Sequence, residues 1–357
     1  MRIAGLDTYA LPETAPGAGD DSALVRVRLE NGLAGWGESA GTGAPKAVAE
    51  IVRSVHRPLL EGVAFEGSAE EIERAWERMY GALRFRGHFG GFALSAIAAV
   101  DIALWDLAGK LARKPLAQLL NPAARWRVPG YLAALPPQDL WENTRRYFDA
   151  GFRVFKLAYG GDAAALFRTM EAMPAGARTA VDARWSLKPE SALEFGHLCQ
   201  QREVLWLECP FPPEDPLAHA ALAKQLTMPI AIGASYRTHY ELAPFFREQA
   251  FGVLQPGASE SGVTEALLMA ADAAEHGVEV IPHSSAGYGV ALAATLHFAA
   301  ASPACQMVEV NPFHVAHANR VLRQPIVVSG GEYTAPAGHG LGVEFDEAKL
   351  DRLRTSA

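Results

Sequence analysis

From about residue 126 onward, short apolar runs rich in β-branched residues alternate with segments whose apolar residues recur at helical spacing. The alternation persists for eight cycles. The strand-like runs end near Tyr131, Ala158, Arg184, Cys209, Ser235, Gly257, Ser284 and Asn311. Between them lie amphipathic stretches such as QDLWENTRRYFDAG, AAALFRTMEAM, PESALEFGHLCQQ and VTEALLMAADAAEHG, with Gly or Pro at the stops. Strands that alternate with helices pair in parallel through right-handed crossovers. Eight such units predict a closed (β/α)8 barrel in preference to an open doubly wound sheet.

The first part of the chain has another rhythm. Two β-rich segments, RIAGLDTYAL and SALVRVRLENG, flank the turn-rich ETAPGAGDD, and helical patterns follow over residues 44–60, 68–83 and 92–111. Strands first and helices afterwards predict an α+β capping domain. The closing stretch QPIVVSGGEYTAPAGHGLGVEFDEAKL is extended and turn-rich, and is expected to return to that domain. The resulting division is a capping domain over residues 1–125, a barrel over 126–322 and a returning tail over 323–357.

Composition narrows the function. Half of the 357 residues are hydrophobic, enough for a large core, and the formal net charge is −8. Without a dense Lys/Arg cluster, nucleic acid is excluded as a partner. The N-terminus MRIAGLDTYALPE lacks the apolar core of a signal peptide, and no uninterrupted apolar run of membrane-spanning length is found, since the longest helical pattern carries Asp101 and Asp106. A cytoplasmic protein without a membrane partner is expected. The three cysteines, Cys199, Cys209 and Cys305, fit no metal or redox spacing and read as buried thiols.

In a (β/α)8 barrel, the chemistry sits at the C-terminal ends of the strands. Read in order, those ends carry Lys156 with Ala158 on the same face, Asp182 with Arg184, then Glu208, Ala234, Gly257, His283 and Glu309. Charged side chains inside apolar strands are costly unless paired or ligated, so their concentration at one rim points to function. Each also has a structural reading. Lys156 would pair with Asp182, Arg184 would neutralise Asp182, Glu309 would pair with Arg320 or Arg323, and His283 would be a satisfied core histidine.

These residues, together with SAIAAVDIALWDLAGKLARKPLAQLL at 95–120, GWGE at 35–38, GVTEA at 262–266 and GLGVEFDE at 340–347, resemble the enolase superfamily in its mandelate racemase and muconate lactonizing enzyme branch. The likeness covers nearly the whole chain. It implies a barrel under an α+β cap, a Mg2+ ion held by carboxylates at the ends of strands three, four and five, no organic cofactor, and removal of the proton next to a substrate carboxylate. It also implies a homo-oligomer acting on a small carboxylate-containing substrate. On this map Asp182 and Glu208 match the first two metal ligands, and Lys156, His283 and Glu309 are the expected catalytic positions; Arg184 and Tyr236 are expected to bind substrate.

The departures cluster. Ala234 stands where the third ligand belongs, Ala158 where a second lysine does, Gly257 where an Asp orients the histidine, and Cys209 where an acid often follows the metal-binding Glu. A methyl group coordinates nothing, so Mg2+ is expected to bind weakly. Three readings follow. In one, a dehydratase or epimerase of a hydroxy or sugar acid places the Arg184 guanidinium where the metal would sit, with His283 as a neutral acid or base lacking its carboxylate partner and Lys156 as electrostatic support. In another, a conventional Mg2+ enzyme uses water or Glu260 for the third carboxylate. In the third, an inactive barrel binds a small acid or serves assembly. Substrate choice is assigned to loops at 13–21 and 84–91.

Overall fold

The computed structural model describes residues 1–14, 19–84, 91–133, 140–346 and 348–350, so most of the two loops assigned to substrate choice lies outside the described residues. Strands β1 (Ile3–Leu11), β2 (Ser22–Leu29) and β3 (Ala34–Ala40) form an antiparallel sheet. The sequence pattern gives only the first two, because β3 is too rich in glycine to read as a strand. Its glycines serve close packing: a Cβ on Gly35 would stand 2.1 Å from the Ala103 carbonyl oxygen, and one on Gly37 1.7 Å from that of Ala99. The sheet thereby lies directly on the helix Phe92–Ala112.

That helix has 21 residues and, its two acids notwithstanding, is apolar enough by length and composition to cross a membrane, but 94% of its most apolar window is buried as the core of the fold. Its two acids tie the helix to its surroundings. Asp106 accepts from the Trp36 amide at 2.8 Å, the Lys110 ammonium at 2.6 Å and the Leu341 amide at 2.8 Å, tying sheet, helix and tail together. Asp101 accepts from the amides of Val263 and Thr264 at 2.6 and 3.0 Å, where the helix Ala258–Glu275 kinks at Gly262. Glu38 of GWGE, fully buried, accepts from the Val290 and Ala291 amides, both at 2.9 Å, at the start of the barrel helix Val290–Ala301.

The barrel comprises β4 (Arg127–Leu132), β5 (Val154–Ala158), β6 (Arg178–Asp182), β7 (Leu207–Glu208), β8 (Ile230–Ile232), β9 (Val253–Leu254), β10 (Glu279–Val280) and β11 (Val308–Val310). Neighbours pair in parallel from β4 to β10, and β11 returns to β4. The ring closes through a bridge between Val280 and Cys305 and a 3.0 Å hydrogen bond from the Glu309 amide to the Pro282 carbonyl. Tyr131, Val154, Trp206, Val253 and Ile281 fill its interior and form a floor beneath the rim.

The tail meets both domains rather than the cap alone. Strands β12 (Val327–Ser329) and β13 (Glu332–Thr334) form a hairpin that pairs antiparallel with the first residues of β4, at the end of the barrel away from the rim. Farther on, Phe345 packs edge-on against Trp36 of the cap, with ring centroids 4.9 Å apart. The described cysteines are all buried and free.

Candidate active site

Parallel register sets the two acids side by side: Ala158 faces Asp182 across β5 and β6, and Asp182 faces Glu208 across β6 and β7. Lys156, one inward position before Ala158, points into the barrel with only 9% of its side chain exposed. Its ammonium donates to Glu208 Oε1 at 2.7 Å and to Glu309 Oε2 at 3.0 Å. The partner foreseen from sequence, Asp182, is not the one it takes. Burial alone would lower the lysine's pKa, but Glu208 and Glu309 raise it well above the usual value, so the ammonium is firmly charged.

Glu309 is the hub. Besides Lys156 it accepts from the Tyr131 hydroxyl at 2.9 Å and from His283 Nδ1 at 3.0 Å, and not from Arg320 or Arg323. Burial would raise its pKa, yet Lys156 and His283 hold it well below the usual carboxylate range. The expectation that His283 lacks a carboxylate partner and is neutral is therefore corrected. Burial disfavours its charge, but Glu309 and then Glu260 outweigh that, and its pKa is raised to about 9. His283 is an imidazolium at neutral pH, with its side chain 24% exposed toward the rim.

Two members of this network escaped the sequence reading. Gln255, at the end of β9, donates to Glu208 Oε2 at 3.0 Å and to the Tyr131 hydroxyl at 3.3 Å, and the Trp206 indole lies 3.3 Å from Glu208 Oε2. A polar or aromatic residue at an inward position next to a strand end is the signal that would have found them. Gly233 permits this packing, since a Cβ there would lie 2.3 Å from the Gln255 amide nitrogen.

Arg184 does not occupy a metal's place. Period-two alternation stops at Asp182, because Arg184 and Trp185 both have positive φ, 48° and 60°. The Arg184 amide donates to Asp182 Oδ1 at 2.9 Å while its side chain, 67% exposed, reaches outward with Nε 3.7 Å from Asp182 Oδ2. Tyr236 is buried against Phe245, and its hydroxyl donates to the Pro213 carbonyl at 2.9 Å. Glu260 does not replace the third carboxylate. It lies beyond Gly257, bonded to the Ser285 hydroxyl.

Donor groups of Asp182, Glu208 and Cys209 lie within 4.8 Å of one another, which makes this the candidate metal position among the described residues. The set is two carboxylates and a thiol, with nothing from Ala234. Mg2+ takes oxygen donors, and Cys209 offers sulfur whose pKa is pushed well up by burial and by Glu208 and Asp182. Both Glu208 oxygens already accept hydrogen bonds, one from an ammonium. Asp182, with its pKa raised by burial and by Glu208 against the pull of Lys156 and Arg184, is the acid most open to an incoming ligand. An oxygen-ligated ion here would take Asp182 and Glu208 and would need its remaining donors from groups other than Ala234 and Cys209.

Residues 13–121 match the family model described as mandelate racemase / muconate lactonizing enzyme, N-terminal domain, and residues 139–349 match the enolase C-terminal domain-like model. The chain is 31% identical to D-galactonate dehydratase of Verminephrobacter eiseniae, over 99% of this chain and 95% of that protein. It is 29% identical to D-galactarolactone cycloisomerase of Agrobacterium fabrum, over 93% and 90% respectively. Among solved structures, a member of the enolase superfamily from Agrobacterium tumefaciens superposes with a TM-score of 0.91 at 30% identity, covering 98% of both chains. A racemase from Streptomyces coelicolor A3(2) with bound magnesium superposes with a TM-score of 0.85 at 28% identity, covering 98% of this chain and 99% of that one.

Proposed function

The chain belongs to the mandelate racemase and muconate lactonizing enzyme branch of the enolase superfamily, and from that premise we propose a lyase or isomerase that moves the proton next to the carboxylate of a hydroxy or sugar acid without depending on a tightly held Mg2+. Relatives that match over nearly the whole chain are enzymes, named as dehydratases and cycloisomerases of sugar acids and sugar lactones. The observation that carries the reading is the His283 and Glu309 pair at 3.0 Å, set at the rim with the ring partly open.

Each rim residue then has a task. Glu309 holds Nδ1 of His283, which leaves Nε2 as the working nitrogen and keeps the ring charged, ready to donate a proton. In a dehydration, the α proton leaves to a base, the bond from the β carbon to its hydroxyl breaks, and the departing oxygen takes the proton of His283 to form water, leaving an enol acid. Asp182, the open acid with a raised pKa, is suited to take the α proton. Lys156 is a fixed positive charge close to where negative charge develops on the substrate carboxylate. Arg184 is free to meet a substrate carboxylate from the outer side of the rim.

A second reading has its own support. Ala158, Ala234 and Gly257 remove three side chains from one rim, and Lys156 is already matched by two carboxylates. A barrel that binds a small acid without turning it over fits those facts as well. Incubation with a panel of aldonic and aldaric acids in D2O, with and without Mg2+ and followed by proton NMR, separates the two. Deuterium at the α carbon or a new keto acid supports the enzyme, whereas saturable binding with neither supports the binding protein.

A further inference from the structure

Gly257, the N-cap of the helix Ala258–Glu275 just beyond β9, has φ −115° and ψ 129°, a conformation open to any residue, so backbone geometry does not explain its missing side chain. Space does. A Cβ on Gly257 would stand 2.2 Å from Glu260 Oε2 and 3.6 Å from His283 Cδ2. The Glu260 carboxylate, rising from the first turn of the helix Ala258–Glu275, therefore fills the room that a side chain at 257 would take, beside the imidazole. One of its oxygens accepts from the Ser285 hydroxyl, and the other, Oε2, is buried with no hydrogen-bond partner among the described residues. A carboxylate oxygen buried in this way is costly unless it faces positive charge.

The charge across this gap is His283, whose Cδ2 borders the same space although neither ring nitrogen lies within 4.0 Å of a Glu260 oxygen. Glu309 takes Nδ1 on one edge of the ring, and the Gly257 space adjoins the other edge at Cδ2. We propose that Glu260 is a second carboxylate acting on His283, a positioning residue that sits in the gap left by Gly257 and, with Glu309, favours the charged form of the ring. The other ionisable groups around the ring are Lys156 of β5, which opposes its charge, and His314 of the helix Pro312–Ala318, whose own pKa is lowered to about 4 by burial and which is therefore neutral.

The proposal rests on His283 as the proton carrier, and its test needs no substrate. Full-length protein labelled in histidine is titrated by NMR, with the His283 signal assigned by its loss in His283→Asn. Glu260→Gln is expected to lower the His283 pKa by roughly one unit. Gly257→Ala, which keeps Glu260 but drives its carboxylate away, is expected to shift it in the same direction by less. If Glu260→Gln does not fold, Gly257→Ala and Ser285→Ala carry the test. An unchanged His283 titration in the folded variants overturns the proposal and leaves Glu260 as a first-turn helix acid only. That outcome is distinct from failure of the functional reading, which would show as absent exchange on substrate with a normal His283 titration.

Discussion

The Lys156 ammonium stands 2.7 Å from Glu208 Oε1, with both side chains buried, so an ammonium occupies one side of the carboxylate that resemblance assigns to a metal. Part of the acidic charge at this rim is thus offset by the chain itself. Replacing Lys156 with Met would leave Glu208 buried without its ammonium and Glu309 with His283 as its one remaining cationic partner among the described residues. We expect a loss of about 3 kcal/mol or more in urea unfolding, the scale for one partner removed from a buried pair.

Metal affinity follows from the same arrangement. Calorimetry on metal-stripped protein is expected to give weak or undetectable Mg2+ binding for the wild type. Ala234→Glu restores an oxygen donor, and binding is expected to tighten by at least about tenfold, or roughly 1.4 kcal/mol. Tight binding by the unaltered chain would show that water or substrate supplies the missing donors.

The pH behaviour of His283 has a definite sign. Its folded pKa of about 9 lies above the value of 6.5 for a free histidine, so the stabilisation it contributes is complete below about 6.5 and is lost as pH rises through about 9. Turnover that uses the imidazolium as donor falls over the same upper limb. Glu309→Gln is expected to move that limb to lower pH, because the carboxylate is the main influence raising the value.

Cap and barrel are joined through buried acids, and one of them gives a stability test remote from the rim. Glu38 accepts from the Ser22 hydroxyl at 2.7 Å and from three backbone amides, those of Tyr288, Val290 and Ala291. Glu38→Ala leaves these donors buried without an acceptor, and a loss on the order of 3 kcal/mol is expected from chemical denaturation.

Much of the architecture was legible because it is written in periodicity. Eight βα units, the cap with its long apolar helix, and the order of rim residues from Lys156 to Glu309 all follow from local pattern. What escaped reading depends on through-space relations. The strand β3 looked unlike a strand because its glycines answer to the helix lying on them. Arg184 left the face of Asp182 because two consecutive residues adopt positive φ. His283 found Glu309 across neighbouring strands 26 residues apart in sequence, and Glu260 found the gap at Gly257 through a helix turn. Tyr236, which follows β8, packs against Phe245 and bonds the Pro213 carbonyl, contacts no local pattern announces.

The most direct test of proton transfer at the His283 and Glu309 pair is solvent deuterium incorporation into aldonic and aldaric acids, comparing wild type with His283→Asn in the presence of a chelator. The wild type is expected to show exchange or keto-acid formation that survives chelation and falls by at least about a hundredfold in His283→Asn, the scale of a lost general acid or base. Exchange that persists undiminished in His283→Asn, or that vanishes on chelation and returns with Mg2+, would contradict it.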